Sequence, residues 1–155
     1  MISAGTRYSS LGDHRKSPRV VDAVSGCAML IRREVLNTVG LFDEDFFFSF
    51  EDIDLCLRAK AAGFETTVVP EARAFHRGSA SIGKRSADRL YYAARNHLLL
   101  AHRGGGPANL TRQTSVAALN VAHAIKEAAT FGPRGLQSTL AGILDHRRRR
   151  YGPKR

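Results

Sequence analysis

Apolar residues at Ile53, Cys56, Leu57 and Ala61 recur at helical spacing, which predicts a helix starting near Glu51-Asp52 and ending at Gly63. A β-branched run follows over Thr66 to Val69, is broken by Pro70, resumes from Ala72 to Phe75 and ends at His76. Upstream, Val20 to Ile31 is apolar with small residues at its centre, and reads as a buried strand interrupted near Gly26. Arg33 to Val39 reads as a short helix stopped by Gly40. Met1 to Arg19 is polar and turn-rich. After Ser81 the pattern becomes helical throughout. Ala87 to His102 carries Leu90, Ala94, Leu98 and Ala101 on one stripe. Leu110 to Phe131 and Leu136 to Leu144 form two more such segments, separated by Gly104–Pro107 and Gly132-Pro133. Strands and helices alternate first and helices follow, which predicts an α/β fold with a helical tail.

Length and composition narrow this picture. A chain of 155 residues holds one domain with a sizeable core, and 43% hydrophobic residues exclude disorder throughout. The start lacks an apolar stretch of signal-peptide length, and no stretch reaches transmembrane length, so the expected location is cytoplasmic. Cys27 and Cys56 stand far apart within apolar patterns and read as small core residues of a reducing compartment.

Charge divides the chain. Residues 1–80 carry ten Lys/Arg against eleven Asp/Glu, whereas residues 81–155 carry fourteen against three. The basic excess therefore sits wholly in the second half, which carries the run Arg147-Arg148-Arg149-Arg150. Apolar stripes with basic flanks suit helices lying on an anionic membrane surface, at the inner face of the membrane, and equally suit helices packed on the domain with a solvated tail. A nucleic-acid-binding protein is another reading of the charge. Against it, no nucleic-acid motif is present, and the aromatic residues cluster among acids, away from the basic half.

The candidate chemistry lies between Gly40 and His76. Phe42, Phe46, Phe47, Phe48 and Phe50 surround Asp43, Glu44, Asp45, Glu51 and Asp52. Adjacent carboxylates beside apolar rings repel one another and lose water, an environment that suits a proton acceptor. Ser49-Phe50-Glu51-Asp52 also fits a helix-capping pattern, a purely structural alternative. Asp54 and Arg58, four apart, predict an exposed ion pair contributing about 0.3–0.5 kcal/mol. His76, at a strand end, suits a metal ligand, a general base or a plain surface residue.

Several separated blocks then agree at once. They are Val24-Ser25-Gly26-Cys27-Ala28-Met29-Leu30-Ile31-Arg32-Arg33, Val39-Gly40-Leu41-Phe42-Asp43-Glu44, Phe50-Glu51-Asp52-Ile53-Asp54-Leu55-Cys56-Leu57-Arg58, Ala61 with Gly63, Val69-Pro70-Glu71-Ala72 and His76. In order and spacing they resemble the C-terminal half of the catalytic domain of family 2 glycosyltransferases, particularly the rhamnosyltransferase-like branch. The resemblance covers roughly Ile2 to Arg103.

It implies part of a GT-A (nucleotide-diphospho-sugar transferase) fold, with residues 1–80 on the acceptor and base side and 81–155 as a basic helical extension. It implies inverting transfer of a sugar from a nucleotide-sugar donor to a hydroxyl of a glycan or lipid-linked acceptor, in cell-surface polysaccharide or glycolipid synthesis. Asp52 becomes the general base, and Glu51 binds the acceptor or tunes Asp52. Gly26 lets backbone approach the sugar, and Phe47 and Phe48 line the acceptor groove. His76, 24 residues after Asp52, becomes a ligand of Mn²⁺ or Mg²⁺ on the donor diphosphate.

The family's Asp-x-Asp motif follows an apolar strand. Neither Asp43-Glu44-Asp45 nor Asp52-Ile53-Asp54 does so, and neither is assigned to it. The expectation is therefore a fragment that lacks the donor-binding half, with a noncatalytic remnant as the alternative.

Overall fold

The computed structural model describes residues 17–72, 74, 86–104, 109–127 and 132–154. His76, residues 1–16 of the polar start, and parts of the resumed strand run and of the 110–131 helical segment lie outside the described residues. The chain forms two compact units that interleave in sequence: Met1–Leu41 with Asp52–His76, and Phe42–Glu51 with Arg77–Arg155.

In the first unit, β1 (Arg19–Val21) pairs antiparallel with β2 (Thr66–Val68), with Val20 opposite Thr67. The buried strand expected over Val20 to Ile31 is not formed. Only its first residues pair, and Val20 and Leu30 are exposed. The small residues at the centre turn instead, as a 3₁₀ turn over Gly26–Ala28 capped by Ser25 Oγ, which accepts the Cys27 N–H. This leaves Cys27 exposed, against the core role expected of it, while Cys56 is buried.

Helix α1 (Arg33–Val39) ends where Gly40 adopts φ 82° and donates its N–H to the Leu36 carbonyl. Helix α2 (Glu51–Ala61) buries Asp54, Leu55, Cys56 and Ala59. The Asp54–Arg58 pair is therefore not the exposed pair expected. Asp54 is 3% exposed, and Arg58 Nε donates to its Oδ2 at 2.8 Å. Arg58 also donates to the carbonyls of Val39 and Leu41, tying α2 to the end of α1. A buried carboxylate needs such a partner, because burial removes its water.

The second unit is helical: α3 (Asp88–Arg103), α4 (Asn109–Lys126) and α5 (Pro133–Arg147). Leu98, Ala101 and Val116 form its apolar centre, with Ala117 and Ile143 against them. Helix α5 buries Gly135, Thr139, Gly142 and His146 and leaves Leu140 and Leu144 exposed. A Cβ on Gly142 would lie 2.4 Å from the Tyr91 carbonyl oxygen, so the two backbones touch there. Tyr91 donates its hydroxyl to Asp145 at 2.8 Å, and burial together with that carboxylate pushes the phenol's pKa up.

Among the described residues helix predominates, with one two-stranded sheet. The α/β expectation is met locally by the β1–β2 pair and the helices between its strands.

Candidate functional site

Asp52 is the second residue of α2, in the turn where backbone N–H groups favour a negative charge. Its Oδ2 accepts the Gly26 N–H at 2.7 Å, and its Oδ1 accepts the Ile53 N–H at 2.8 Å. A Cβ on Gly26 would stand 3.3 Å from Asp52 Cβ and 3.5 Å from Oδ2, so glycine allows this approach without displacing the carboxylate. A carboxylate has about four lone-pair sites. Two are taken by backbone N–H groups, which fix its orientation, and the others can accept a proton. Two residues 26 positions apart, both expected in the site, thus meet within the first unit.

In the second unit, Phe42–Phe50 forms a loop of unusual backbone. Phe47, Ser49 and Phe50 hold φ of 54°, 67° and 74°. Such values cost non-glycine residues on the order of 1–3 kcal/mol each. They also lie outside the extended region that an N-cap serine uses, which sets aside the capping pattern read at Ser49. Phe46 is fully buried, and Arg103 lies over its ring at 5.0 Å while pairing with Asp43. Phe48 packs on Tyr92, and Phe50 stacks on His97 with ring centres 5.1 Å apart. Burial lowers the His97 pKa and so favours its neutral form.

A cleft of about 290 Å³ is lined by Phe42, Asp43, Glu44, Phe47, Glu51 and Pro153. Exposed rings beside carboxylates offer an apolar face and hydrogen-bond acceptors together, which suits a polyhydroxylated ligand. Of the residues expected to bind substrate, Phe47 and Glu51 line this cleft, whereas Phe48 does not. Among the described residues no three His, Cys, Asp or Glu side chains could together hold a metal ion.

A model of the family described as glycosyltransferase like family 2 matches residues 4–105. The chain belongs to that family. Membership in glycosyltransferase family 2 implies the nucleotide-sugar transferase fold of the GT-A type.

The chain is also similar to rhamnosyltransferases. It is 36% identical over 91 residues to an N-acetylglucosaminyl-diphospho-decaprenol L-rhamnosyltransferase of Mycobacterium tuberculosis, covering 58% of this chain and 30% of that protein. It is 43% identical over 60 residues to the rhamnosyltransferase WbbL of Escherichia coli, covering 39% of this chain and 23% of that protein. A dTDP-rhamnosyl transferase RfbF of Shigella flexneri is 28% identical over 90 residues, 50% of this chain and 29% of that protein. The family 2 chain thus spans less than a third of the length of these relatives. No solved structure matches it.

The sequence reading passed over Arg95 and Asn96, both fully buried in α3. The available signal was their place in the helix, since a charged residue and an amide interrupt the stripe of Tyr91, Ala94 and Leu98.

Proposed function

We propose that this chain supplies the acceptor side of a sugar transfer from a nucleotide-sugar donor to a hydroxyl of a glycan or lipid-linked acceptor. The observation that carries the reading is the Asp52 carboxylate, oriented by the Gly26 N–H at 2.7 Å with acceptor capacity to spare. As the acceptor oxygen bonds to the anomeric carbon, its proton passes to Asp52. The bond from that carbon to the donor diphosphate breaks on the opposite face, with inversion. The leaving diphosphate carries the electron pair away.

Glu51 and Phe47 hold the acceptor, the carboxylate taking hydroxyl hydrogen bonds and the ring covering an apolar sugar face. Phe48 belongs to the same aromatic group. Family 2 enzymes commonly use divalent metals. His76 is the candidate ligand for Mn²⁺ or Mg²⁺, which would offset charge on the departing diphosphate. The rhamnosyltransferase relatives make rhamnose a natural first donor to try and cell-surface polysaccharide synthesis the natural setting.

A lipid-linked acceptor also suits work at the cytoplasmic membrane face, where the Arg147–Arg150 run meets anionic lipid. Among the described residues no helix is long and apolar enough to cross a membrane.

The test is transfer from dTDP-rhamnose and other nucleotide sugars to lipid-linked and free glycan acceptors, using the intact gene product, with Mn²⁺ or Mg²⁺ present or chelated. Product with the new linkage supports the reading. Hydrolysis alone, or no turnover with any donor, overturns it.

A further inference from the structure

Arg95 and Asn96 form a buried clamp on the strained Phe42–Phe50 loop, entirely within the second unit. Asn96 Nδ2 donates to the carbonyls of Phe46 and Phe48 at 2.6 Å each and of Ser49 at 3.0 Å. An amide carries two such hydrogens, so three carbonyls share them. Arg95 Nη2 donates to the carbonyls of Asp45 and Phe46 at 3.0 and 3.1 Å, and its Nη1 donates to the Gly152 carbonyl at 2.6 Å. Arg95 Nε donates to Asn96 Oδ1 at 2.9 Å. That last bond settles which way the amide faces: its oxygen meets the guanidinium and its NH₂ meets the loop.

The rest of the surroundings fit a fixed cation. The Tyr91 and Tyr92 rings lie 5.5 and 5.1 Å from the guanidinium carbon. Gly152 completes the ring of contacts by donating its N–H to the Asp45 carbonyl at 2.9 Å. Donors therefore converge on a row of carbonyls that left-handed residues turn to one side. Left-handed backbone at Phe47, Ser49 and Phe50 persists only where surrounding bonds over-determine it. The clamp supplies those bonds. The residues it fixes include Phe47, and the loop it fixes runs directly into Glu51.

We infer that Arg95 and Asn96 are positioning residues, which hold the Phe46–Phe50 loop so that Phe47 and Glu51 are preset for the acceptor. The meaning of "acceptor" rests on the function proposed above; the clamp itself does not. Asn96→Asp keeps size and replaces the NH₂ by an oxygen facing three carbonyls.

The first measurement is amide hydrogen exchange on the chain. In the wild type, the Phe46, Phe47 and Gly152 amides, which donate to the carbonyls of Asp43, Glu44 and Asp45, exchange slowly. In Asn96→Asp they exchange at least about 10-fold faster, while amides within α4 change by less than about threefold. The second measurement is kinetic, on the intact gene product. Asn96→Asp raises the acceptor KM at least about 10-fold and leaves the donor KM within about twofold.

Unprotected loop amides in the wild type overturn the clamp, even if the variant fails to fold. An unchanged acceptor KM, or both KM values rising together, overturns the positioning role. If the wild type transfers no sugar, the proposed function fails, and the exchange result still decides the clamp.

Discussion

Asp52→Asn keeps the size of the side chain and removes its charge. Both carboxylate oxygens accept backbone N–H groups, from Gly26 and from Ile53. The amide has one oxygen, so its NH₂ must face one of those N–H donors. Losing a hydrogen bond to a charged group costs about 1.5–3 kcal/mol. Asp52 is only half-buried, so water can reach the orphaned N–H, and the lower figure applies. For a chain of this size that corresponds to a fall in melting temperature of about 3–6 °C.

Removing a general base costs about 10²–10⁴ in rate, or roughly 3–5 kcal/mol of barrier. The two effects separate experimentally. A domain with about 5–15 kcal/mol of stability stays folded after losing 1.5, so the loss of turnover cannot come from unfolding. The assay is kcat at saturating donor and acceptor at 15 and 25 °C, beside an unfolding curve and a donor-binding titration. The expected result is a kcat lower by at least about 100-fold at both temperatures, with donor affinity within about twofold. A folded variant with kcat within about threefold of wild type refutes Asp52 as the base and leaves it a structural link to Gly26.

Gly26→Ala brings a Cβ to 3.3 Å from Asp52 Cβ, so the carboxylate must shift by a few tenths of an ångström. Melting should move by less than about 2 °C while kcat falls about 10-fold, and an unchanged kcat removes Gly26 from the site. Arg58→Ala removes one partner of the buried Asp54 carboxylate and frees the carbonyls of Val39 and Leu41. With Arg58 itself 30% exposed, it should cost about 1.5–3 kcal/mol by urea unfolding, and a loss below about 0.5 kcal/mol would refute the tie between α1 and α2.

Burial lowers the pKa of both His97 and His146 below 6.5, aided at His146 by His102 and Arg147. The unfolded chain therefore takes up these protons first as pH falls. Stability is full above about pH 6.5 and declines as pH drops through the folded-state values. Melting curves between pH 7.5 and 5 should show this decline, and His97→Gln should make it shallower. Equal slopes would exclude His97 as a contributor.

The helices α1 to α3 were legible because their ends carry local signals: Gly40 after α1, the periodic apolar run of α2, and the stripe of Leu90, Ala94 and Leu98 in α3. The buried face of α5 was not legible. Pattern reading weights hydrophobicity, whereas the contact at Gly142 selects for the absence of a side chain. The strand expected over Val20 to Ile31 failed for a related reason. Its small centre favours a turn, and the Gly26 N–H meets a carboxylate instead of a neighbouring strand. Family resemblance put Gly26 and Asp52 in one site with separate roles; the hydrogen bond between them was not foreseen, since periodicity cannot join residues so far apart in sequence. Arg95 and Asn96 went unread because their partners are backbone carbonyls, which have no sequence signature.

The contact at Gly142 works as a ruler. With its backbone against Tyr91, α5 cannot slide along α3 without a collision. Ten residues later the chain reaches Gly152, which must arrive where its N–H meets Asp45 and its carbonyl meets Arg95. The number of residues between the two glycines is thus fixed by geometry at both ends. Between them Asp145 and His146 are held by their contacts, but the identities of the exposed Arg147 to Arg150 are far less constrained. In this stretch a one-residue deletion should do more harm than several substitutions, because it is the count that carries the message from the helix crossing to the loop.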